Sequence, residues 1–280
     1  MTLKILSFNI LHDQGDWPGR SKAIGAWIDR LQPDVVGLQE VLRGDSMDQT
    51  RSLLADRGFE TAFAEASRFW VDRDLAFGNA IGSRWPIEST DVLTLSRARP
   101  GNGRSETRCA LAARIDAPAG PLELACTHLH WRFDHGYVRE RQVVEIAEWL
   151  GRRAPESGWP PVLVGDFNAD PESAEMRYLA GLQSIDGRSC HFRDAWAVAG
   201  GDGRGHTWSR ENPLTHPWLE PDRRIDYIWV GMPRRDGQGV VERCAVVGNE
   251  PVDGVWPSDH FAVYAELRGP QEAQAGAAGA

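Results

Sequence analysis

VLVGDFNAD, Val162 to Asp170, is the stretch from which the fold can be read. Pro161 bars a helix from running into it, and three apolar residues in a row suit a short strand buried on both faces. The strand meets Gly165 and ends by presenting Asp166 and Asn168, two residues apart and so on one face of an extended chain. Asp and Asn both bond to nearby backbone and favour turns. A metal or phosphate site would use the same two side chains, and within this stretch alone both readings stand.

Outward from this strand the pattern repeats. ILSFN ends on Asn9, VVGLQE on Glu40 and LACTH on His128; RIDYIWV holds Asp226, and PSDHFAV opens on Ser258, Asp259 and His260. Strand termini on a rigid sheet are where binding and catalytic groups gather. One shared site accounts for all of them better than a separate turn for each.

The intervening sequence supplies more strands and a few helices. Strands are expected at Leu3–Phe8, through DVVGLQE, at Ala76–Ser83, Ser89–Leu95, Cys109–Asp116 and Leu122–His128, through VLVG and IDYIWV, at Val241–Val247 and through FAVYAEL. A helix is expected over Ser21–Leu31, where Ile24, Trp27, Ile28 and Leu31 form one apolar stripe that Pro33 ends. Others are expected around Met47–Arg57, over Tyr137–Leu150 with Val143, Ile146, Ala147 and Leu150 on one face, and over Glu172–Leu182 with Pro171 in the first turn. This interleaving points to an α/β fold with a layered sheet core and helices outside. No repeat or linker divides the chain, so residues 1–268 read as one domain, and the tail GPQEAQAGAAGA, 269–280, is expected to be disordered.

The 280 residues are 41% hydrophobic and 25% charged, with a formal net charge of -9. Those are ordinary proportions for a soluble globular protein. The acidic balance argues against indiscriminate binding to nucleic acid, although a basic patch or a bound cation reverses the sign near a site. Cys109, Cys126, Cys190 and Cys244 include no CxxC pair, which speaks against a zinc knuckle or a dithiol motif; they read as buried thiols in a reducing compartment. MTLKILSFNI lacks the features of a signal peptide, and no run has membrane-spanning length. A cytoplasmic monomer is the expectation.

SFNI, LQEV, GNAI, THL, GDFN, RIDYI and SDHFAV are weak signals singly. In this order across nearly the whole chain they resemble the endonuclease/exonuclease/phosphatase superfamily of divalent-metal-dependent phosphoesterases. The resemblance implies a four-layer α/β sandwich of the DNase I-like kind: two packed, mostly antiparallel sheets flanked by helices, with the active site at one edge. It also implies hydrolysis of a phosphodiester or phosphomonoester with Mg²⁺, or Mn²⁺, as cofactor. The partner would be a phosphate-ester substrate: a small molecule, a lipid head group or a nucleic acid. A nuclease of the exonuclease or deadenylase kind, acting on DNA or RNA, is one alternative; a non-catalytic binding protein on the same fold is another.

Such hydrolysis needs charge neutralisation at the phosphoryl oxygens, an activated water and a stabilised leaving oxygen. Hard cations prefer carboxylate oxygens and retain several waters, so one or two carboxylates suffice. Glu40, with Asn9 and Asp259, is expected to hold the cation. Asp166 is expected to orient and deprotonate the attacking water, and Asn168 to hold that water or a phosphate oxygen. An ordinary Asp is a weak base, so its neighbours or the metal must assist. Asp226, set among Ile225, Tyr227, Ile228 and Trp229, is costly to bury alone. His260 is its expected partner, the ring fixed and charged against the scissile phosphate. His128 is expected to donate to a phosphoryl oxygen.

Departures from the resemblance narrow it. Inositol-polyphosphate phosphatases carry an Arg shortly after the GDxN element and another after the final Asp, where this chain has Asp170 and Phe261. Abasic-site nucleases use a Tyr in the central region, and no Tyr lies between Glu40 and His128. FGNAIGSRWPI is similar to the deadenylase-like and sphingomyelinase-like branches and makes Asn79 a candidate phosphate contact. THLHW is similar to a deadenylase-like element, so His130, Trp131 and His135 are candidates to shape the substrate site. Arg108 and the Arg223–Arg224 pair are candidates to touch an anionic substrate, while Arg97, Arg99, Arg104, Arg234 and Arg235 read as solvated charges. Trp208 and Trp218 suit either stacking on a base or anchoring a loop.

Overall fold

The computed structural model describes residues 1–98 and 106–271. Its strands form two six-stranded sheets. The first runs β11 (Val241–Val247), β12 (Ala262–Arg268), β1 (Thr2–Asn9), β2 (Val35–Arg43), β4 (Ala76–Ser83) and β3 (Glu60–Arg68). The second runs β5 (Ile87–Thr94), β6 (Cys109–Ile115), β7 (Leu122–His128), β8 (Val162–Asp166), β10 (Asp226–Val230) and β9 (Arg193–Asp194). Each sheet has a parallel pair near its middle, β1/β2 in one and β7/β8 in the other, with antiparallel neighbours.

Alternation along the strands builds the layers. Leu3 and Ile5, Leu124 and Cys126, Val162 and Val164 face inward and pack between the sheets. Gly37 permits their close approach, because a Cβ there would lie 2.4 Å from Val164 Cγ2. Outside the first sheet, α1 (Trp17–Leu31) lays Ile24, Trp27 and Ile28 against Leu6, Phe8 and Leu38. Outside the second, α3 (Gly136–Arg153) lays Val143, Ile146 and Leu150 against Ala125, Leu163 and Trp229. Helix, sheet, sheet and helix make the expected four-layer α/β sandwich. Shorter helices, α2 (Gln49–Leu53), α4 (Ala174–Leu179) and α5 (Ala195–Ala199), fill its margins.

The topology also gathers the polar strand ends. The parallel strands β1, β2, β7 and β8 run toward one edge of the sandwich. The antiparallel strands β10 and β12, paired with β8 and β1, begin there. Asn9, Glu40, His128, Asp166, Asp226 and His260 therefore come to a single rim.

Several boundaries differ from expectation. Glu40 does not end its strand: β2 continues to Arg43 through a register shift between Leu38 and Val41, with Glu40 in the left-handed region at φ 60°. Such a bulge re-aims a side chain. The helix expected at Met47–Arg57 divides into α2 and a 3-10 turn at Ala55–Arg57. Pro171 stands in a turn, and α4 starts only at Ala174. The edge strand β3 went unseen because ETAFAEASR offers no apolar run. The tail is pinned over its first residues, where Gly269 N donates to Met1 O at 2.8 Å; residues 272–280, like Arg99 and Arg104, lie outside the described residues. Cys109, Cys126 and Cys244 are buried and Cys190 half-buried, all as free thiols. Among the described residues no helix is long and apolar enough to cross a membrane.

Candidate active site

Asp166 closes β8 and divides its two oxygens between structure and site. Oδ1 accepts from Asn168 N at 2.9 Å, closing the local turn that Asp favours. Oδ2 points into the cleft and accepts from Asn9 Nδ2 at 3.0 Å. The same oxygen lies 3.3 Å from His128 Nε2 and 3.7 Å from His260 Nε2. Turn and site are thus one device, in which the bond to Oδ1 aims Oδ2. Gly165 is required just before it, because a Cβ there would lie 2.1 Å from Thr127 O on β7. Asn168 occupies the left-handed region at φ 53°, which Asn tolerates. Its Nδ2 donates to Leu129 O at 3.2 Å, leaving one amide hydrogen and Oδ1 for the cleft.

The Asn9 amide also reaches Glu40 Oε1 at 3.3 Å, so a single side chain spans from Asp166 to Glu40. Leu11 N holds the other end of that amide, at Oδ1, at 3.1 Å. The Ser258 hydroxyl donates to Asn9 O at 2.7 Å and lies 3.2 Å from Asp259 Oδ1. Burial raises the Glu40 carboxyl above its ordinary range; His12 opposes the rise and the neighbouring Asp259 adds to it. Burial raises Asp259 too, against the pull of His260. Two buried carboxylates whose charge burial penalises offer oxygen donors suited to a hard divalent cation, and Asn9 Oδ1, held by Leu11 N, keeps one lone pair.

Arg20 fastens the backbone around them. Its buried guanidinium donates to the carbonyls of Ile10, Leu11, His12 and Gln14 and, across the chain, to that of Pro257. The loops carrying Asn9 and Asp259 are thereby tied to one α1 side chain.

Asp226 and His260 arise from different sheets and bond at 2.9 Å, Oδ2 to Nδ1. Thr207 and Trp208 stitch them together. Thr207 Oγ1 accepts from Ile225 N and Asp226 N, each at 3.1 Å, and Thr207 O accepts from Phe261 N at 2.6 Å. The Trp208 ring stands edge-on to His260 with centroids 5.0 Å apart. Burial pushes the His260 ring down, but Asp226 and Asp166 outweigh it and hold the imidazolium well above its ordinary pKa. Asp166, Asp226 and His260 also present one ligand atom each within 4.8 Å of one another. His260 Nδ1 is already committed to Asp226, which leaves Nε2 facing Asp166 Oδ2 at 3.7 Å.

His128 has the opposite kind of partner. Arg108 NH1 donates to its Nδ1 at 3.1 Å. Burial first and Arg108 second push this ring well below its ordinary pKa. Arg108 NH2 in turn donates to Glu106 Oε2 at 2.8 Å, and Glu106 Oε1 accepts from the Trp131 indole at 3.2 Å.

These groups line a cleft of about 280 Å³ whose upper walls are Trp70, Trp131, Trp208 and Trp218. Trp70, Trp131 and Trp218 are about half exposed, at 49%, 48% and 54%. Arg223 also lines the cleft, donating to Asp170, Glu220 and the Asn168 carbonyl. Arg224 turns away to pair with Asp194 at 2.7 Å.

Asn9 and Asp226 stand behind the cleft wall, bonded to Asp166 and His260, and Asn79 and His130 do not reach it either. Asn79 is buried between the sheets, where its Nδ2 donates to Cys109 O at 3.0 Å; strand alternation puts it on the inward face with Ile81. His130 is buried against His135, their Nε2 and Nδ1 2.7 Å apart and their rings stacked, so this pair buttresses the loop that carries Trp131. His12, Arg20, Glu106, Thr207 and Trp70 had no sequence signal of their own. Arg20 works on loop carbonyls, Glu106 and Thr207 through side-chain oxygens that accept from other segments, and His12 and Trp70 through ring faces, none of which follows a period.

The family model described as "Endonuclease/Exonuclease/phosphatase family" matches residues 6–260. "Probable RNA exonuclease NGL3" of Saccharomyces cerevisiae is 26% identical over 174 residues, 59% of this chain and 34% of its own length. "Probable RNA exonuclease C9B6.11c" of Schizosaccharomyces pombe is 35% identical over 167 residues, 55% of this chain and 31% of its own. The match thus spans about a third of the length of these curated relatives. The structure of D. rerio TDP2 complexed with single strand DNA product has the same fold, with a TM-score of 0.72 at 20% identity over 95% of this chain and 99% of that one.

Proposed function

Because the chain belongs to the endonuclease/exonuclease/phosphatase family, we propose that it hydrolyses a phosphodiester with a divalent cation, Mg²⁺ first and Mn²⁺ second. What carries this is the geometry at Asp166 Oδ2, which Asn9, His128 and His260 all face while the same Asn9 amide reaches Glu40. Glu40, Asn9 and Asp259 would hold the cation, which neutralises phosphoryl charge and lowers the pKa of water. Asp166, aimed by its bond from Asn168 N, orients the attacking water and takes its proton. The His260 imidazolium and the His128 Nε2–H donate to phosphoryl oxygens on which charge develops. The spare amide hydrogen of Asn168 is a further donor.

Single-stranded RNA is the substrate proposed for first test. Half-exposed indoles beside a phosphate centre suit unpaired bases, which stack on aromatic rings whatever their sequence, and both curated relatives are named as RNA exonucleases.

The test is a panel of a chromogenic phosphodiester, dinucleotides, single-stranded and duplex RNA and DNA, phosphomonoesters and phospholipids with each divalent cation. Hydrolysis is expected to vanish with EDTA and in Asp166→Ala. Turnover that survives both rejects the proposal.

A further inference from the structure

We propose that Arg108 is a positioning residue that fixes His128 as its Nε2–H tautomer and so aims a neutral donor at the reacting phosphate. This rests on the hydrolase reading above for its consequence, though not for its geometry. A guanidinium has donors and no acceptor. With Arg108 NH1 at 3.1 Å, His128 Nδ1 must be the acceptor. The ring proton then sits on Nε2, the nitrogen 3.3 Å from Asp166 Oδ2.

Arg108 is buried and is itself held. Glu106 takes its NH2 and also takes the Trp131 indole. The chain Trp131–Glu106–Arg108–His128 therefore runs from the cleft rim to the base.

The groups facing His128 are Arg108 from the segment before β6, Asp166 from β8, His260 from the segment before β12, and His130 on its own segment. A charged His128 would confront two cations, Arg108 and the His260 imidazolium. The two histidines beside Asp166 thus divide their work. His260, backed by a carboxylate, carries positive charge; His128, backed by a guanidinium, offers a hydrogen bond and has no proton to release.

Long-range ¹H–¹⁵N NMR of the metal-free, substrate-free full chain reads the tautomer directly, with His128→Gln identifying the signal. The wild type is expected to show Nε2–H at His128 near neutral pH. In Arg108→Met the neutral Nε2–H ring is expected to give way in part to an imidazolium beside Asp166, kcat to fall about 10–100-fold with little change in KM, and a new ionisation near pH 6.5 to enter the kcat profile. Arg108→Lys, which keeps a cationic donor, is expected to restore part of both the tautomer and kcat. A wild-type His128 that is Nδ1–H or imidazolium overturns the proposal. So does an Arg108→Met that leaves tautomer and pH profile alone and raises KM only, since Arg108 would then be a substrate contact. An inactive wild type would refute the hydrolase reading while the NMR still decides the tautomer.

Discussion

His260 Nδ1 lies 2.9 Å from Asp226 Oδ2, across the seam between the two sheets. The raised His260 pKa fixes the sign of the pH dependence. Charge on the ring, and the stability its pairing contributes, is complete below the ordinary histidine value near 6.5 and is lost as pH rises through the folded value. Asp226→Asn removes the carboxylate that sustains it. We expect kcat to drop about 10²–10⁴-fold, the range for disturbing a buried partner of a catalytic histidine, and the alkaline limb of the profile to move down toward pH 6.5. An unmoved limb would mean that His260 does not act as the cation.

Glu40 and Asp259 have raised carboxyl pKa values, burial being the main cause in both. Ionising them near neutral pH therefore opposes folding of the metal-free chain, and lowering the pH through their folded values relieves the cost. Glu40→Gln is expected to melt higher than wild type without metal, by about 2–4 °C for each kcal/mol relieved. The wild type is expected to gain about 2.7 kcal/mol from Mg²⁺ at a hundred times its dissociation constant, and the variant to gain much less. Calorimetry that found unchanged Mg²⁺ affinity in Glu40→Gln would remove Glu40 from the ligand set.

Much of the fold and rim was legible because strand ends carry local chemistry. GDFN announced a turn, which the structure builds on Asp166 Oδ1, whereas the close approach of β7 that requires Gly165 appears only once the strands are paired. Glu40 was visible as a residue but not as a conformation, since a bulge within a strand leaves no period to read. Asn79, a candidate by motif, sits outside the cleft lining with its amide on Cys109 O, because strand alternation puts it on the inward face with Ile81. Arg20 was invisible because its work is done on five backbone carbonyls, and carbonyls have no sequence.

Asn79 gives a direct check of its placement. Cys109 O accepts from Asn79 Nδ2 at 3.0 Å and also from Thr127 Oγ1 at 3.1 Å. Asn79→Ala leaves that carbonyl satisfied, so the expected loss is about 1 kcal/mol by urea unfolding, with KM unchanged. A tenfold rise in KM at unchanged stability would return Asn79 to the cleft.

Trp218 separates stacking from scaffolding. It ends the 3-10 segment Pro213–Trp218, which Asn212 caps through its side chain at Leu214 N, so truncating a half-exposed indole there should leave the segment in place. Base–aromatic stacking contributes about 1–3 kcal/mol per base, equivalent to about 5–150-fold. Trp218→Ala is expected to raise KM for single-stranded RNA within that range. It should barely affect a strand whose nucleotides beside the scissile phosphate are abasic, because no base remains to stack. Equal losses on both strands would show that Trp218 supports the loop holding Glu220 and Arg223, and the aromatic wall would then have no part in choosing the substrate.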